Sequence, residues 1–497
     1  MTLTAIVIVV VAAVLIGAFG IRFSSTSDFY VASRTVSPLW NASAIGGEYL
    51  SAASFLGVAG LILSFGADML WLPVGWTGGY LVLLVLVSAP LRRSGAYTLP
   101  DFAEARLESM PVRRTASVLV VLIGWLYLMP QFQSAGLVLR TVTGAPVWAG
   151  GLLVAVVVAV NVLSGGMRSI TFVQAFQYWL KLTALAVPVV FLLMAWHADG
   201  APAVSAADAA TWQVPLAGGK EYGLYSTYSL ILATFLGTMG LPHVLVRFYT
   251  NPDGRAARRT TLVVLSLLGA FYLLPALYGW LGRMYAPDLV RTDAVVLTLP
   301  GRMIGGTLGD VLTALVTAGA FAAFLSTSSG LTVSVAGVIA QDLLKGGVSS
   351  FRAATLMAVA VPLALALWAR ALPVADVVGL AFAVAASSFC PLLVLGIWWR
   401  RLSTTGALAG LFVGGGLACS AVLATIIAGP YDGPAGALLA QPAAWTVPVA
   451  FAVMVSVSFL TPDRVPAGVA RTMVRLHTPE NLDLDRGDWR SRSSDGS

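Results

Sequence analysis

The sequence predicts an all-α polytopic membrane protein, and three observations carry that prediction. The 497 residues are 58% hydrophobic and only 10% charged, with mean hydropathy +0.86, whereas soluble domains carry about 25% charged residues. Apolar windows long enough to cross a hydrocarbon core of about 30 Å as helices recur along the whole chain. The basic residues gather in the short connections between those windows, as topogenic charges do.

In chain order the windows run near 3–21, 38–65, 69–90, 115–142, 146–164, 170–197, 223–249, 260–284, 306–343, 351–370, 373–399, 405–428 and 443–461, about thirteen spans. The first, MTLTAIVIVVVAAVLIGAFGIRF, has no positive n-region and no small-residue cleavage site, so it reads as a retained span and not a signal peptide. The ninth is too long for one straight crossing and is expected to tilt or to project from the bilayer. After the last span, Pro462–Ser497 is polar and rich in Arg, Asp and Ser, and is expected to be a partly disordered tail.

With the N-terminus outside, 22 of the 29 basic residues fall in cytoplasmic segments or the tail. They include Arg22, Arg34, Arg92, Arg93, Arg106, Arg113, Arg114, Arg168, Arg247 and Lys345. Six more (Arg140, Lys220, Arg283, Arg291, Arg302 and Arg370) lie on or near the outer side. The bias predicts an outside N-terminus and a cytoplasmic C-terminus in a plasma (inner) membrane. The same dispersal over loops excludes nucleic acid as a partner despite the net charge of +7. Cys390 and Cys419 both lie in apolar runs, which excludes a disulfide framework. The three histidines are scattered, no cofactor is expected, and no clustered constellation points to an enzyme. No GxxxxGK[ST] occurs, so ATP-driven pumping by this chain is not expected.

The chemistry is expected at polar residues inside the apolar spans. Within the second span, the stretch Asn41–Gly60 reads NASAIGGEYLSAASFLGVAG. Its Gly46-Gly47 pair beside Glu48 suggests a helix break that exposes backbone groups to an ion or substrate. Tight packing through small residues is the alternative, and the spacing alone does not separate the two. The seventh span carries Gly237-Thr238-Met239-Gly240-Leu241-Pro242-His243, where proline removes a donor and kinks the helix. Two interrupted helices, each opening a set of five, form the pattern of inverted-repeat transporters.

In the ninth span, Ser326, Thr327, Ser328 and Ser329 are consecutive. They either bond back to carbonyls one turn earlier or offer oxygens to a hard monovalent cation. Lys181 lies deep in the sixth span, with Gln174 seven residues earlier on the same face. Three readings of Lys181 stand open: a counter-charge to Glu48 or an anionic substrate, a group near the cation site, or a structural lysine in a wet cavity. Ser51, Ser54, Glu48 and His243 are further substrate or coupling candidates by location.

At these residues the chain resembles the sodium:solute symporter family, and within it the cation/acetate (monocarboxylate) symporters. The resemblance runs through most of the chain. It is strongest at Gly47–Gly57 (GEYLSAASFLG), Tyr97–Leu107 (YTLPDFAEARL), Ser164–Met167 (SGGM), Gly237–Thr250 (GTMGLPHVLVRFYT) and Ala322–Gly330 (AAFLSTSSG). It implies a LeuT-type fold of two inverted five-helix repeats. The boundaries expected are an extra helix and loop over 1–37, a core over 38–400 (38–197 and 223–400), two further helices over 401–461, and a tail over 462–497. It also implies a sodium site made by the carbonyls of Gly47, Leu50 and Ala323 and the hydroxyls of Ser326 and Thr327. Gln174 stands where some members carry an aspartate, which leaves sodium or a proton as the coupling ion.

The expected function is symport of a small organic anion, a monocarboxylate such as acetate, propionate or pyruvate, with a monovalent cation, by alternating access. Half-helix N-termini, which favour anionic groups, suit that cargo. Symport of an amino acid such as proline, or a solute-sensing membrane domain, are the other readings.

Overall fold

A computed structural model describes residues 1–19, 37–216, 221–344, 346–369, 374–428, 433–480 and 482. Arg22, Arg34, Lys220, Lys345, Arg370 and the arginines beyond residue 482 lie outside the described residues, as does the side chain of Arg168. Every regular element described is helical, as expected of backbone that must satisfy its own polar groups in lipid.

Eleven helices among the described residues are long and apolar enough to cross a membrane. The thirteen windows read from the sequence differ from this count for two reasons. The first window forms Thr2–Phe19, where the described residues stop, and the described part alone is too short to be counted as a span. The second and third windows merge downstream of a break into one helical run, Ala53–Arg93, bent at Gly66, whose φ of 72 suits glycine.

Burial follows position in the bundle. Thr2–Phe19 is apolar all round, and it buries Ile6, Val9 and Ala13 while exposing Leu3, Val7, Ile8, Val11 and Leu15. That is the signature of a peripheral helix whose outer face meets lipid. Val374–Trp398 is the opposite case, with 94% of its apolar window inside the protein. It packs on Gly223–Gly240, while Gly306–Val338 packs on Val147–Ala198. These central helices approach closely through small residues. A Cβ on Gly319, for example, would stand 2.4 Å from the Ala184 methyl.

The long Gly306–Val338 helix continues as a π turn over Ile339–Leu343. Its polar end is held by charge. Arg113 pairs with Asp342 at 2.7 Å, Asp101 at 2.9 Å and Glu104 at 2.5 Å, all of them buried. Asp101 also closes a capping box with Thr98 at the start of Leu99–Leu107. One arginine thereby fixes three elements. Arg106 is buried too, donating to the carbonyls of Gly396 at 2.7 Å and Trp399 at 3.1 Å. Arg106 and Arg113, counted above among loop charges, are therefore buried and paired.

The first part of the tail is folded, and residues 483–497, on which the expectation of partial disorder also falls, lie outside the described residues. Val469–His477 forms an amphipathic helix that buries Met473 and Leu476. The His477 ring stands 4.8 Å from Trp398, and Glu480 accepts from the Gly254 amide at 2.8 Å. An apolar face with a place to seat was hidden in a stretch whose mean composition is polar.

Candidate functional site

The first broken helix runs Pro38–Tyr49, becomes irregular at Leu50 (φ −73, ψ 83), and resumes as a π turn over Ala53–Gly57 before Val58–Phe65. The break thus falls three to four residues after the Gly46-Gly47 pair to which the sequence assigned it. Those glycines are helical and serve close packing. A Cβ on Gly46 would lie 2.8 Å from the Tyr178 ring, and one on Gly47 2.1 Å from the Gln174 carbonyl oxygen. At the break, the Ala52 amide donates to Gln131 Oε1 at 3.0 Å. The second broken helix ends at Gly240, passes through an extended Leu241 (φ −76, ψ 117) and resumes at Pro242. This break lies where the sequence placed it.

The first break and the hydroxyl run meet. Ser326 Oγ lies 2.6 Å from the Gly47 carbonyl oxygen and 3.1 Å from that of Ala323. Thr327 Oγ1 donates to the Glu48 carbonyl at 2.6 Å. Lys181, fully buried, donates from Nζ to the carbonyls of Gly47 and Leu50 and to Ser326 Oγ, the last two at 2.7 Å. Lys181 therefore sits among oxygens that the family resemblance gave to sodium, those of Gly47, Leu50 and Ser326. Gln174 faces the same place, and its Nε2 donates to the Ser326 carbonyl at 2.8 Å.

Glu48 has a partner that the sequence did not suggest. Arg247 Nε donates to Glu48 Oε2 at 2.8 Å, and the same guanidinium donates to Thr171 Oγ1 at 2.7 Å and to Gln174 Oε1. The Glu48 and Arg247 side chains are 2% and 1% exposed, so the arginine is no loop charge. Asn41 Nδ2 donates to the Arg247 carbonyl at 3.2 Å. A sequence clue did exist, since Glu48 and Arg247 are opposite charges within six residues of the two breaks.

On the other side of the breaks lies an aromatic cluster centred on Phe382. The rings of Trp76, Tyr127 and Tyr49 stand 5.8, 5.9 and 6.2 Å from it. Tyr272 stacks on Trp76 at 5.7 Å, Tyr80 meets Tyr49 edge-on at 4.9 Å, and His243 lies 5.2 Å from Tyr127. Ser51 and Ser54 border the cluster through Tyr127 at 3.4 Å and Tyr272 at 3.0 Å. Several of its buried polar atoms have no hydrogen-bond partner, namely Trp76 Nε1, Tyr80 Oη and both ring nitrogens of His243. Such groups are costly to bury unless something pairs with them. Their residues are scattered along apolar spans with no common spacing, so only His243, beside its proline, was visible in the sequence.

Paired helix breaks around a polar centre, inside a bundle of apolar helices, define a LeuT-type secondary transporter. The fold of a Na+-coupled sialic acid symporter in a substrate-bound outward-open state matches with a TM-score of 0.71 at 14% identity, covering 92% of this chain and 97% of that one. The model of the sodium:solute symporter family matches residues 29–414, and the chain belongs to that family. It is 33% identical to the uncharacterized symporter YwcA of Bacillus subtilis (strain 168), over 86% of this chain and 88% of that protein. It is 31% identical to the monocarboxylic acid transporter of Corynebacterium glutamicum, over 82% and 80%. The protein is therefore a multi-pass membrane transporter and not an enzyme.

Proposed function

We propose that the chain is a secondary active symporter that takes up a small monocarboxylate, such as acetate, propionate or pyruvate, by alternating access. The carrying observation is the set of unpaired buried groups, Trp76 Nε1, Tyr80 Oη and the His243 ring, in an aromatic frame beside both breaks. Indole and phenol hydroxyl donate, and a neutral imidazole offers one further donor. A small anion with a short apolar tail satisfies such donors with its oxygens and the rings with its methyl or methylene groups. A relative named for monocarboxylic acid transport supports the same cargo.

Coupling is assigned to the centre formed by the oxygens of Gly47, Leu50, Ala323, Ser326 and Thr327, which the Lys181 ammonium also enters and which joins the first broken helix to Gly306–Val338. Sodium is the cation that the family name suggests, with protons as the alternative. The N-terminus is placed outside and the C-terminus in the cytoplasm, with the transporter core over 38–400.

Uptake into proteoliposomes tests the reading, with labelled acetate, pyruvate and proline set against separately imposed sodium and proton gradients. Acetate or pyruvate uptake driven by one gradient is expected. Uptake of proline without acetate or pyruvate would replace the cargo, and uptake insensitive to both gradients would reject symport.

A further inference from the structure

The oxygens proposed above for sodium already have a cationic partner. The Lys181 ammonium carries three protons, and its three acceptors are the Gly47 carbonyl, the Leu50 carbonyl and the Ser326 hydroxyl. Three of the five groups of the cage are thus directed at one nitrogen. We infer that Lys181 is the tethered cation of this cage: its ammonium stands where sodium would be held, and the chain binds no sodium there.

The charges around the cage support this. Glu48 is the carboxylate beside it, and Oε2 of Glu48 is paired with Arg247. Gln174, on the same face as Lys181, is a neutral amide engaged with Arg247 and the Ser326 carbonyl. Glu48, Arg247 and Lys181 together carry one net positive charge. A sodium ion among the same oxygens would raise that to two within a few ångströms, in an interior where like charges are poorly screened. It would also compete for the lone pairs that the ammonium uses.

The lysine further reproduces what a bound ion would do mechanically. It ties the first broken helix, through Gly47 and Leu50, to Gly306–Val338, through Ser326. It adds a covalent root in Val147–Ala198. Elements that sodium would clamp only when present are clamped here by the chain itself. The inference rests on the symporter reading for the identity of the cage, and not on the cargo.

The test measures binding of radioactive sodium to the purified full-length protein in nanodiscs, without substrate, for the wild type, Ser326→Ala, Lys181→Ala and the double variant. The wild type is expected to show no saturable sodium binding that depends on Ser326. Lys181→Ala is expected to gain saturable binding, and the double variant to lose it again. Saturable wild-type binding abolished by Ser326→Ala would overturn the inference, as would a folded Lys181→Ala protein that remains sodium-silent. Should Lys181→Ala not fold, the comparison of wild type with Ser326→Ala decides. Failure of acetate and pyruvate uptake in proteoliposomes, with the sodium results as expected, would strike the cargo alone.

Discussion

Arg247 and Glu48, 199 positions apart in sequence, meet at 2.8 Å between Nε and Oε2 with both side chains buried. The contact links the two broken helices, one from each half of the fold. Arg247 reaches Thr171 and Gln174 as well, so it also anchors both broken helices to Val147–Ala198. A buried ion pair is a weak source of net stability, because desolvation offsets attraction, but breaking one from a single side is costly. The pair is better understood as fixing the register of the two breaks.

Removing one partner of that pair is expected to be worse than removing both. Arg247→Met should destabilise the protein by roughly 3–5 kcal/mol, since it strands a buried carboxylate. Adding Glu48→Gln should recover a large part of that loss. Thermal unfolding of the purified variants reads the difference. A double variant no more stable than Arg247→Met alone would show that the pair does not explain the cost.

Gly330 gives a steric prediction with a control on the same helix. A Cβ there would stand 2.1 Å from Glu48 Oε1 and 2.2 Å from its carboxyl carbon, whereas one on Gly337 meets nothing within 4 Å. Gly330→Ala must displace an ion-paired side chain and is expected to cost about 1–3 kcal/mol or more. Gly337→Ala should leave yield and melting temperature unchanged. Equal yields for the two would contradict the placement of Glu48.

Tyr80→Phe separates binding from folding. The hydroxyl is buried without a partner, so its loss should leave the substrate-free protein at least as stable as the wild type. If it pairs with the substrate, uptake KM should rise about fivefold, the worth of one hydrogen bond near 1 kcal/mol. Unchanged KM alongside unchanged stability would remove Tyr80 from the substrate site.

Arg113→Met is expected to be among the most damaging changes outside the breaks. It leaves Asp101, Glu104 and Asp342, all buried, without their shared cation, at a cost of roughly 3–5 kcal/mol. Lysine in its place should rescue only in part, because a single ammonium cannot reproduce the guanidinium fork. Denaturation temperatures across the three proteins give the order.

The sequence by itself determined the class of this protein. Lipid tolerates only apolar, internally bonded helices, so composition and window length fix an all-helical membrane bundle whatever the packing. Local chemistry marked the proline break at Pro242 and the hydroxyl run at Ser326–Ser329 for the same reason, since each is conspicuous within an apolar span. What only the tertiary structure decided depends on which distant side chains share a space. Gly46 and Gly47 drew attention as a break, yet Tyr178 and the Gln174 carbonyl against them require glycine for packing, and the chain opens at Leu50. Arg247 counted as a loop charge until Glu48 proved to be its neighbour. Lys181 had three open readings because reach and acceptor geometry are not written in spacing. They follow from how three helices cross, and at that crossing the ammonium meets the oxygens of Gly47, Leu50 and Ser326.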